Sequence, residues 1–422
     1  MQPTAPINHI VEHLFRHESG KLVAVLTKIF GPHNLQLAED VAQDCLLKAM
    51  GTWKINGLPE NPSAWLFTVA RNKALDILRK EQRHKEFTAT VSPLLRSEYS
   101  LTSTVTEYMN PGNIDDDQLR MMFTCCHPAL NMESQVALIL KTLCGFSVTE
   151  IARAFISNND TIEKRLYRAR QKLKEEKILF EIPTGNEKEQ RLENVLTAIY
   201  LLFNEGYSST QHEDLIRKDL IEESYRLCEL LRKNSETKTS EVLSLLALMS
   251  FTHARSNARL DAEGNILLLP AQDRKKWDQH LIEKGVEYIK EAGLFNTVNT
   301  YLLEAAIAYE HSIAASYEQT NWEHIINFYN LLYQLNPTPI IALNRAIGIA
   351  ELHGAEVGIQ SIKEIQPSDG LQQFYLYHAT LGELYARLND KEKAFQFLSE
   401  ASNLTSSPAQ RKLLATKMEA LK

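Results

Sequence analysis

The sequence has no run of apolar residues approaching 18, no C-x-x-C motif and few glycines or prolines. A membrane-spanning helix needs roughly 20 apolar residues in a row, so none is expected. With 16 Gly and 14 Pro in 422 residues, collagen-like and low-complexity chains are excluded. Five cysteines without a paired motif are typical of a reduced chain. Since the first residues also lack the basic and apolar stretches of a signal peptide, we expect a cytoplasmic protein.

The charge is unevenly distributed along the chain. Residues 1–180 carry 22 Lys and Arg against 20 Asp and Glu, whereas residues 181–422 carry 24 against 33. An acidic protein is a poor candidate for binding nucleic acid, but the weakly basic first part remains compatible with it.

Helical periodicity dominates and no sustained two-residue alternation is present, which predicts an all-α fold. The pattern divides the chain into two small helical domains, an acidic linker between them and a long helical extension. The predicted bounds are 7–85 for the first domain, 86–117 for the linker, 118–177 for the second domain and 187–422 for the extension.

The segment 146–174 predicts a helix-turn-helix. Ser147 to Glu150 forms a capping box that starts one helix at Val148, and Asn159 or Asp160 is expected to cap the next. The second helix has an apolar face and a basic one, and such a helix fits the major groove of DNA. The inward residues are Ile162, Leu166, Ala169 and Leu173, and the outward ones are Thr161, Lys164, Arg165, Arg168 and Lys172. A solvated basic helix in an ordinary bundle is the alternative.

A second basic helix is predicted over 62–83, capped by Asn61 and started by Pro62. Its buried stripe is Leu66, Val69, Ala70, Ala74, Ile77 and Leu78, and Asn72, Asp76, Arg79 and Arg83 line its other face. The aromatic residues Trp53, Trp65 and Phe67 either stack on unpaired bases or belong to the core.

An amphipathic helix precedes it, over residues 37–50. Its exposed edge is predicted to hold Glu39, Asp40, Gln43 and Asp44, while Val41, Cys45 and Leu46 point inward. That edge is either a docking face or a solvated surface.

Near the end of the chain, one tetratricopeptide-like repeat is recognisable. It is carried by Leu381, Gly382, Tyr385, Ala394 and Ala401, with Pro408 slightly late, and a partial copy ends at Asn336 and Pro337. Since one repeat cannot bury its own faces, a stack of helical pairs from about 190 to 420 is expected, with an irregular helical bundle as the alternative.

These segments resemble a known family. The runs AEDVAQDCLLKAM and PSAWLFTVARNKALDILRKEQR resemble region 2 of extracytoplasmic-function sigma factors, and ESQVALILKTLCGFSVTEIARAFISNNDTIEKRLYRARQKLK resembles their region 4. The order and spacing also agree. Later runs, among them FTCCHPAL, LLFNEGYSS and ALNRAIGIAE, resemble the large subgroup that has a C-terminal TPR-like extension.

The resemblance implies roles for individual residues. Region 2 would dock on the β′ clamp helices of core RNA polymerase and contact the −10 element of promoter DNA, and region 4 would read the −35 element and touch the β flap. The polymerase-binding residues would be Asp40, Gln43 and Asp44, the −10 residues Asn72, Arg79, Lys80 and Arg83, and the −35 residues Thr161, Lys164, Arg165 and Arg168. The recognition helix departs from the family's Gly-Thr-Val start, with Asp160 and Glu163 where phosphates would be repelled.

Other candidate sites are weaker. Cys125, Cys126 and His127 lack a second Cys/His pair for a metal site and are expected to be buried structural residues. The segment Phe203–Tyr207 either forms a ligand-binding turn or ends a helix at Gly206. No catalytic constellation is found, so we predict no enzyme, no metal and no cofactor.

The sequence therefore predicts a sigma factor that directs core RNA polymerase to promoters, with its activity controlled by the C-terminal extension and that extension's protein or ligand partner. The alternative is a helix-turn-helix regulator with a TPR interaction domain that works without polymerase. A third class, a pure TPR scaffold, would have no affinity for DNA.

Overall fold

A computed structural model of the chain describes residues 7–83, 98–155, 157–208, 216–365 and 371–421. The predicted all-α class is confirmed, because the regular structure of these ranges is helical and includes only one isolated antiparallel bridge, between Leu260 and Ile266. The chain divides into two compact units, with the boundary between residues 202 and 203.

Within the described ranges, the first unit contains eight α-helices and most of a ninth. They are α1 Ile7–Phe30, α2 Leu35–Asn56, α3 Pro62–Arg83, α4 Glu98–Tyr108, α5 Ile114–Cys125, α6 Met132–Thr142, α7 Val148–Ala154, α8 Asn159–Glu175 and α9 Asn186–Tyr207. Helix α1 is central, since it packs against α2, α3, α4, α5 and α6. It therefore buries Leu22, Leu26 and Phe30 almost completely.

The structure differs from the predicted linker over its second part. Residues 98–117 contain α4 and the start of α5, and Leu101, Val105 and Asp117 are buried there. The Asp117 carboxylate is held by Lys28 of α1 at 2.9 Å and by Arg120 at 2.8 Å. The acidic composition of this segment therefore reflects a buried ion-pair cluster in part, whereas residues 84–97 lie outside the described ranges.

Helix α9 begins where the C-terminal extension was predicted to begin, but its first part belongs to the first unit. Arg191 is 6% exposed, and its guanidinium donates a hydrogen bond to the carbonyl of Phe123 at 3.2 Å. The same side chain pairs with Glu187. A division at residue 187 would consequently remove a buried arginine from the packing of α5.

The second unit continues with ten helices in the described ranges. They are α10 Lys218–Lys233, α11 Ser240–Ala254, α12 Gln279–Gly293, α13 Thr300–Ile313, α14 Trp322–Leu335, α15 Pro339–His353, α16 Ala355–Lys363, α17 Tyr375–Arg387, α18 Lys391–Leu404 and α19 Pro408–Glu419. Each helix from α10 to α19 packs on the next one along the chain.

The tetratricopeptide-like positions make one close helical pair, α17 and α18. A Cβ atom on Gly382 would lie 2.8 Å from Cγ of Leu398, so only glycine allows the two helices to approach this closely. Tyr385 stacks on Phe397 with ring centroids 5.5 Å apart. Leu381, Ala394 and Ala401, which carry the repeat, are buried. In the described part of the chain, no helix has the length and apolarity needed to cross a bilayer.

Candidate nucleic-acid and polymerase interfaces

Helices α7 and α8 form the predicted helix-turn-helix. The capping box is present, since the backbone N–H of Ser147 donates to the Glu150 carboxylate at 2.8 Å and the N–H of Glu150 donates to Ser147 Oγ at 3.2 Å. The cap of α8 was predicted at Asn159 or Asp160, but Asn158 provides it by accepting from the N–H of Thr161 at 2.8 Å. A side-chain oxygen at the N-cap reaches the amide three residues on, which places the helix start one residue earlier.

The two faces of α8 agree with the sequence pattern. The four inward residues, Ile162, Leu166, Ala169 and Leu173, are at most 2% exposed. The four residues expected to read DNA line one groove of about 430 Å³ between α8 and the start of α6. Thr161, Lys164 and Arg168 are exposed in it, and Arg165 is half-buried. This groove is therefore a polar, mainly basic concavity at the start of the second helix.

Arg165 differs from its neighbours because it already has partners. Its guanidinium pairs with Glu133 of α6 and lies 5.1 Å from the centroid of the Phe155 ring. A carboxylate in a groove that is to hold phosphates is unfavourable, so Glu133 must give up Arg165 before this side chain can contact DNA.

Helix α3 begins as predicted, with Asn61 accepting from the N–H of Ala64 at 2.9 Å. Four residues of the predicted stripe are buried and two are half-buried; the buried ones are Leu66, Ala70, Ala74 and Leu78. The aromatic residues Trp53 and Trp65 contact each other edge to face at 5.4 Å, and Trp53 is 6% exposed. Trp53 is thus a core residue, whereas Trp65 is half-buried.

The predicted −10 residues lie on the solvent side of α3. Asn72 and Lys80 are exposed, and the side chain of Arg79 is 39% exposed with Asp76 at 4.0 Å. Arg83 is the last residue of α3, and its side chain lies outside the described residues. One more cation of this helix, Lys73, is paired with Asp44 of α2.

The predicted polymerase-binding edge of α2 is exposed at Asp40, Gln43 and Asp44. Asp40 accepts a hydrogen bond from Gln36 at 2.9 Å. The sequence reading missed Leu47 and Met50, which are 56% and 54% exposed. Since residues three and four apart share a helix face, the edge continues from Gln43 into an apolar strip. Leu47 and Met50 thus add exposed apolar surface beside the acidic groups.

Glu39 was predicted to belong to this exposed edge, and that prediction is wrong. Its side chain is 10% exposed, and Arg170 of α8 reaches it at 2.7 Å and 2.8 Å. Burial raises the pKa of Glu39 above its ordinary value, and the Arg170 guanidinium opposes this rise. The residue therefore joins the first helical domain to the helix-turn-helix.

The same two domains also approach through their backbones. A Cβ atom on Gly20 of α1 would lie 2.0 Å from the carbonyl oxygen of Leu143, at the end of α6. Contact at that distance is impossible for any residue with a side chain, so glycine permits the packing. Together with the Glu39–Arg170 pair, it holds the helix-turn-helix domain against α1 and α2.

All five cysteines are buried. Burial raises the pKa of Cys125 to about 12, and it also raises the pKa values of Cys126 and Cys228. A redox-sensing cysteine needs an accessible thiol with a lowered pKa, so the structural interpretation of Cys125 and Cys126 is supported. Among the described residues, no group of three or more His, Cys, Asp or Glu is placed to hold a metal ion.

Comparison with known proteins gives matches along most of the chain. Residues 14–84 match the family Sigma-70 region 2, and residues 120–173 match Sigma-70, region 4. Residues 191–293 match a family of unknown function, DUF6596. An uncharacterized protein of Rhizobium meliloti (strain 1021) is 35% identical over 355 residues, which cover 84% of this chain and 83% of that protein.

The matched ranges contain the structural features described above. The region 2 match spans α2 and α3 with their exposed acidic and basic faces, and the region 4 match spans the helix-turn-helix. The third match begins at the buried Arg191 of α9. The chain therefore belongs to the sigma-70 family, as a sigma factor of the extracytoplasmic-function type in which regions 2 and 4 are followed by a helical C-terminal extension.

Proposed function

We propose that this chain directs core RNA polymerase to specific promoters by holding the polymerase through α2, the −10 element through α3 and the −35 element through α8. The observation that carries the proposal is that region 2 presents two different surfaces. The acidic and apolar edge of α2 is open to a protein partner, and the basic face of α3 is open to DNA. An independent helix-turn-helix regulator needs only the groove on α8.

The residue assignments are those that the resemblance to sigma regions 2 and 4 implies, and the exposure of Asp40, Asn72 and Lys164 supports them. Asp40, Gln43 and Asp44 would meet the β′ clamp helices, and region 4 would also touch the β flap. Asn72, Arg79, Lys80 and Arg83 would contact the −10 element. Thr161 and Lys164 lie at the start of α8, where a recognition helix meets base edges, and Arg168, one turn further on, would contact phosphates. Since core polymerase is its partner, the chain would work in the cytoplasm.

Reconstitution with bacterial core RNA polymerase tests this function. Co-elution of the full chain with core, and discrete transcript starts on genomic fragments, are the expected results. Asp40→Lys should weaken co-elution at least tenfold, because it reverses one charge in the middle of the edge. Glu107→Lys makes the same change on an exposed position of α4 and should co-elute normally. Binding of DNA without co-elution would favour the polymerase-independent regulator.

The proposed function requires region 4 to move away from region 2. The −10 and −35 elements are about 25 base pairs apart, which is roughly 85 Å of duplex. Arg170 of α8 is bound to Glu39 of α2, and a compact unit of this size has a radius of gyration of only about 16 Å. Binding both elements at once therefore needs the Glu39–Arg170 contact to open.

We also propose that residues 203–422 control this activity. The proposal is supported by the surplus of acidic residues after residue 180, in a chain whose first part has to bind DNA. Removing the extension tests it, but the cut must follow α9, because Arg191 is buried against Phe123. A chain of residues 1–208 should initiate at a clearly higher rate if the extension masks the first unit and at a lower one if it supports polymerase binding. An unchanged rate would contradict control by the extension.

A further inference from the structure

The C-terminal unit contains a cavity of about 480 Å³. Its walls are the facing sides of α14, α15, α17 and α19, closed by the segment 259–270. Ser208, which directly follows α9, also lines it. A volume of this size is within the range of sites for small organic molecules. All the residues that line the cavity belong to the second unit.

The lining is mostly aromatic and aliphatic. Tyr317, Trp322, Tyr329 and Tyr375 line it together with leucines and isoleucines, and Asn344 and Thr380 are among the few neutral polar groups. Trp322 is fixed between two rings, since it contacts Tyr317 at 5.2 Å and His311 at 5.3 Å. Such walls bind a flat or apolar body and leave its orientation to a few polar groups.

The charged groups of the lining do not cancel. Glu351 pairs with Arg387 at 2.7 Å, and Glu383 pairs with Lys417. Arg259 has no carboxylate partner among the described residues. It donates to the carbonyl of Tyr207 and lies 4.0 Å from that ring. Burial lowers the pKa of His311 to about 3, so its imidazole is neutral. The cavity is therefore left with one positive charge, at Arg259.

Two further arginines add positive charge to this region. Arg255 is a like charge close to Arg259, and Arg274 interacts with Arg255 and with the Glu318 carboxylate. Arg255 lies over the ring of Trp277, and Arg274 donates to the carbonyls of His311 and Ala314 at 2.7 Å each. One terminal nitrogen of Arg274 is buried without a hydrogen-bond partner. Buried charge without a counterion is costly, and an anion bound at Arg259 would offset part of that cost.

We propose that this cavity binds a small organic monoanion, with its acidic group at Arg259 and its apolar or aromatic body against Tyr317, Trp322 and Tyr329. Glu351 and Glu383 on the facing walls disfavour a ligand with several negative charges, such as a nucleotide. The sequence left open whether Phe203–Tyr207 ends a helix or forms a ligand-binding turn. Helix α9 ends at Tyr207, and the Tyr207 carbonyl orients Arg259.

Two fluorescent probes that differ by one charge test the proposal on the full chain. 1-Anilinonaphthalene-8-sulfonate is an aromatic monoanion, and N-phenyl-1-naphthylamine is the same body without the sulfonate. Both should bind saturably, with one molecule per chain in the cavity. Arg259→Gln should weaken binding of the sulfonate at least tenfold, because a charge-assisted contact is lost, and change binding of the neutral probe less than twofold. Arg259→Lys should restore part of the affinity for the sulfonate.

Controls separate the cavity from other apolar surface. Thr380→Trp fills the cavity and should abolish saturable binding of both probes. Arg226→Gln removes an arginine that pairs with Glu223 outside the cavity lining, and it should leave both affinities unchanged. Equal sulfonate affinity in Arg259→Gln and the unmodified chain would overturn the proposal. The proposal would also be overturned if Arg259→Gln and Arg259→Lys both weakened binding of the two probes equally. Arg259 would then stabilise only the structure of the cavity wall.

Discussion

Helices α3 and α8 both carry a basic face, but the cations on the two faces have different partners. On α3, Lys80 is exposed and the Asp76 carboxylate lies 4.0 Å from Arg79. On α8, Arg165 is bound by Glu133 and Arg170 is bound by Glu39. Lys80 of α3 can therefore meet DNA without giving up an ion pair, whereas Arg165 and Arg170 of α8 must each exchange a carboxylate for a phosphate.

The two carboxylates that bind the arginines of α8 lie in different regions of the chain. Glu133 belongs to region 4 itself, so Arg165 can be released by a local side-chain movement. Glu39 belongs to region 2, so releasing Arg170 also separates the two regions. Ion pairs between partly buried groups contribute little net stability compared with the cost of leaving one partner unpaired. The Glu39–Arg170 pair thus favours the closed arrangement of regions 2 and 4 but still allows them to separate.

The largest effect is expected from charge reversal at an α8 cation that has no carboxylate partner in the described ranges. Arg168→Glu replaces an attraction to phosphate by a repulsion, and a hydrogen bond to a charged group is worth about 1.5–3 kcal/mol. We expect promoter binding by the holoenzyme to fall about 100-fold or more, measured by electrophoretic mobility shift at fixed salt. Lys233→Glu, at the end of α10, is the matched control and should bind normally. A loss below threefold in Arg168→Glu would mean that this groove does not face DNA.

A smaller effect is expected from opening the contact between regions 2 and 4. Gly20→Ala places a Cβ atom against the Leu143 carbonyl while favouring helix α1 itself. We expect the free chain to open and to bind promoter DNA about threefold to tenfold more tightly, because less free energy is spent on opening. Gly51→Ala in α2, where nothing lies within 4 Å, is the control.

Spin labels report that opening directly. Leu47→Cys and Tyr167→Cys place labels at two exposed positions, 56% and 62% exposed, and the five native thiols are buried. The distance distribution between the labels should lengthen and broaden in Gly20→Ala and stay unchanged in Gly51→Ala. An identical distribution in all backgrounds would contradict the closed arrangement.

The smallest effect is expected from Glu133→Gln, which frees Arg165 within region 4. An exposed ion pair is worth at most about 1 kcal/mol, so DNA affinity should rise about twofold to fivefold. The dependence of the logarithm of affinity on the logarithm of salt concentration should steepen by about one, since one more cation reaches a phosphate. Glu163→Gln removes an acid of α8 without freeing an arginine and should leave that slope unchanged.

The start positions of α3 and the apolar face of α8 could be read from the sequence because caps and periodicity are local. Asn61 and Pro62 determine where α3 begins, and Ile162, Leu166, Ala169 and Leu173 repeat every three or four residues. The cap of α8 was misplaced by one residue because Asn158, Asn159 and Asp160 are all suitable and only backbone geometry selects among them.

Contacts between distant residues could not be predicted in the same way. Glu39 looks like its exposed neighbours until Arg170 lies beside it, 131 residues further along the chain. Similarly, Asp117 follows two other aspartates, and its burial depends on Lys28 of α1. The cavity around Arg259 is assembled from four helices, the segment 259–270 and residues between them, so no single stretch of sequence carries its signal.

The central claim is that regions 2 and 4 of this chain act with polymerase on the same promoter. Footprinting at a mapped start site tests it most directly, with DNase protection reporting the −35 element and permanganate reactivity of thymines reporting melting at the −10 element. The full chain with core polymerase should give both signals, and neither component should give melting alone. Protection by the chain alone, with no melting after core polymerase is added, would contradict the claim.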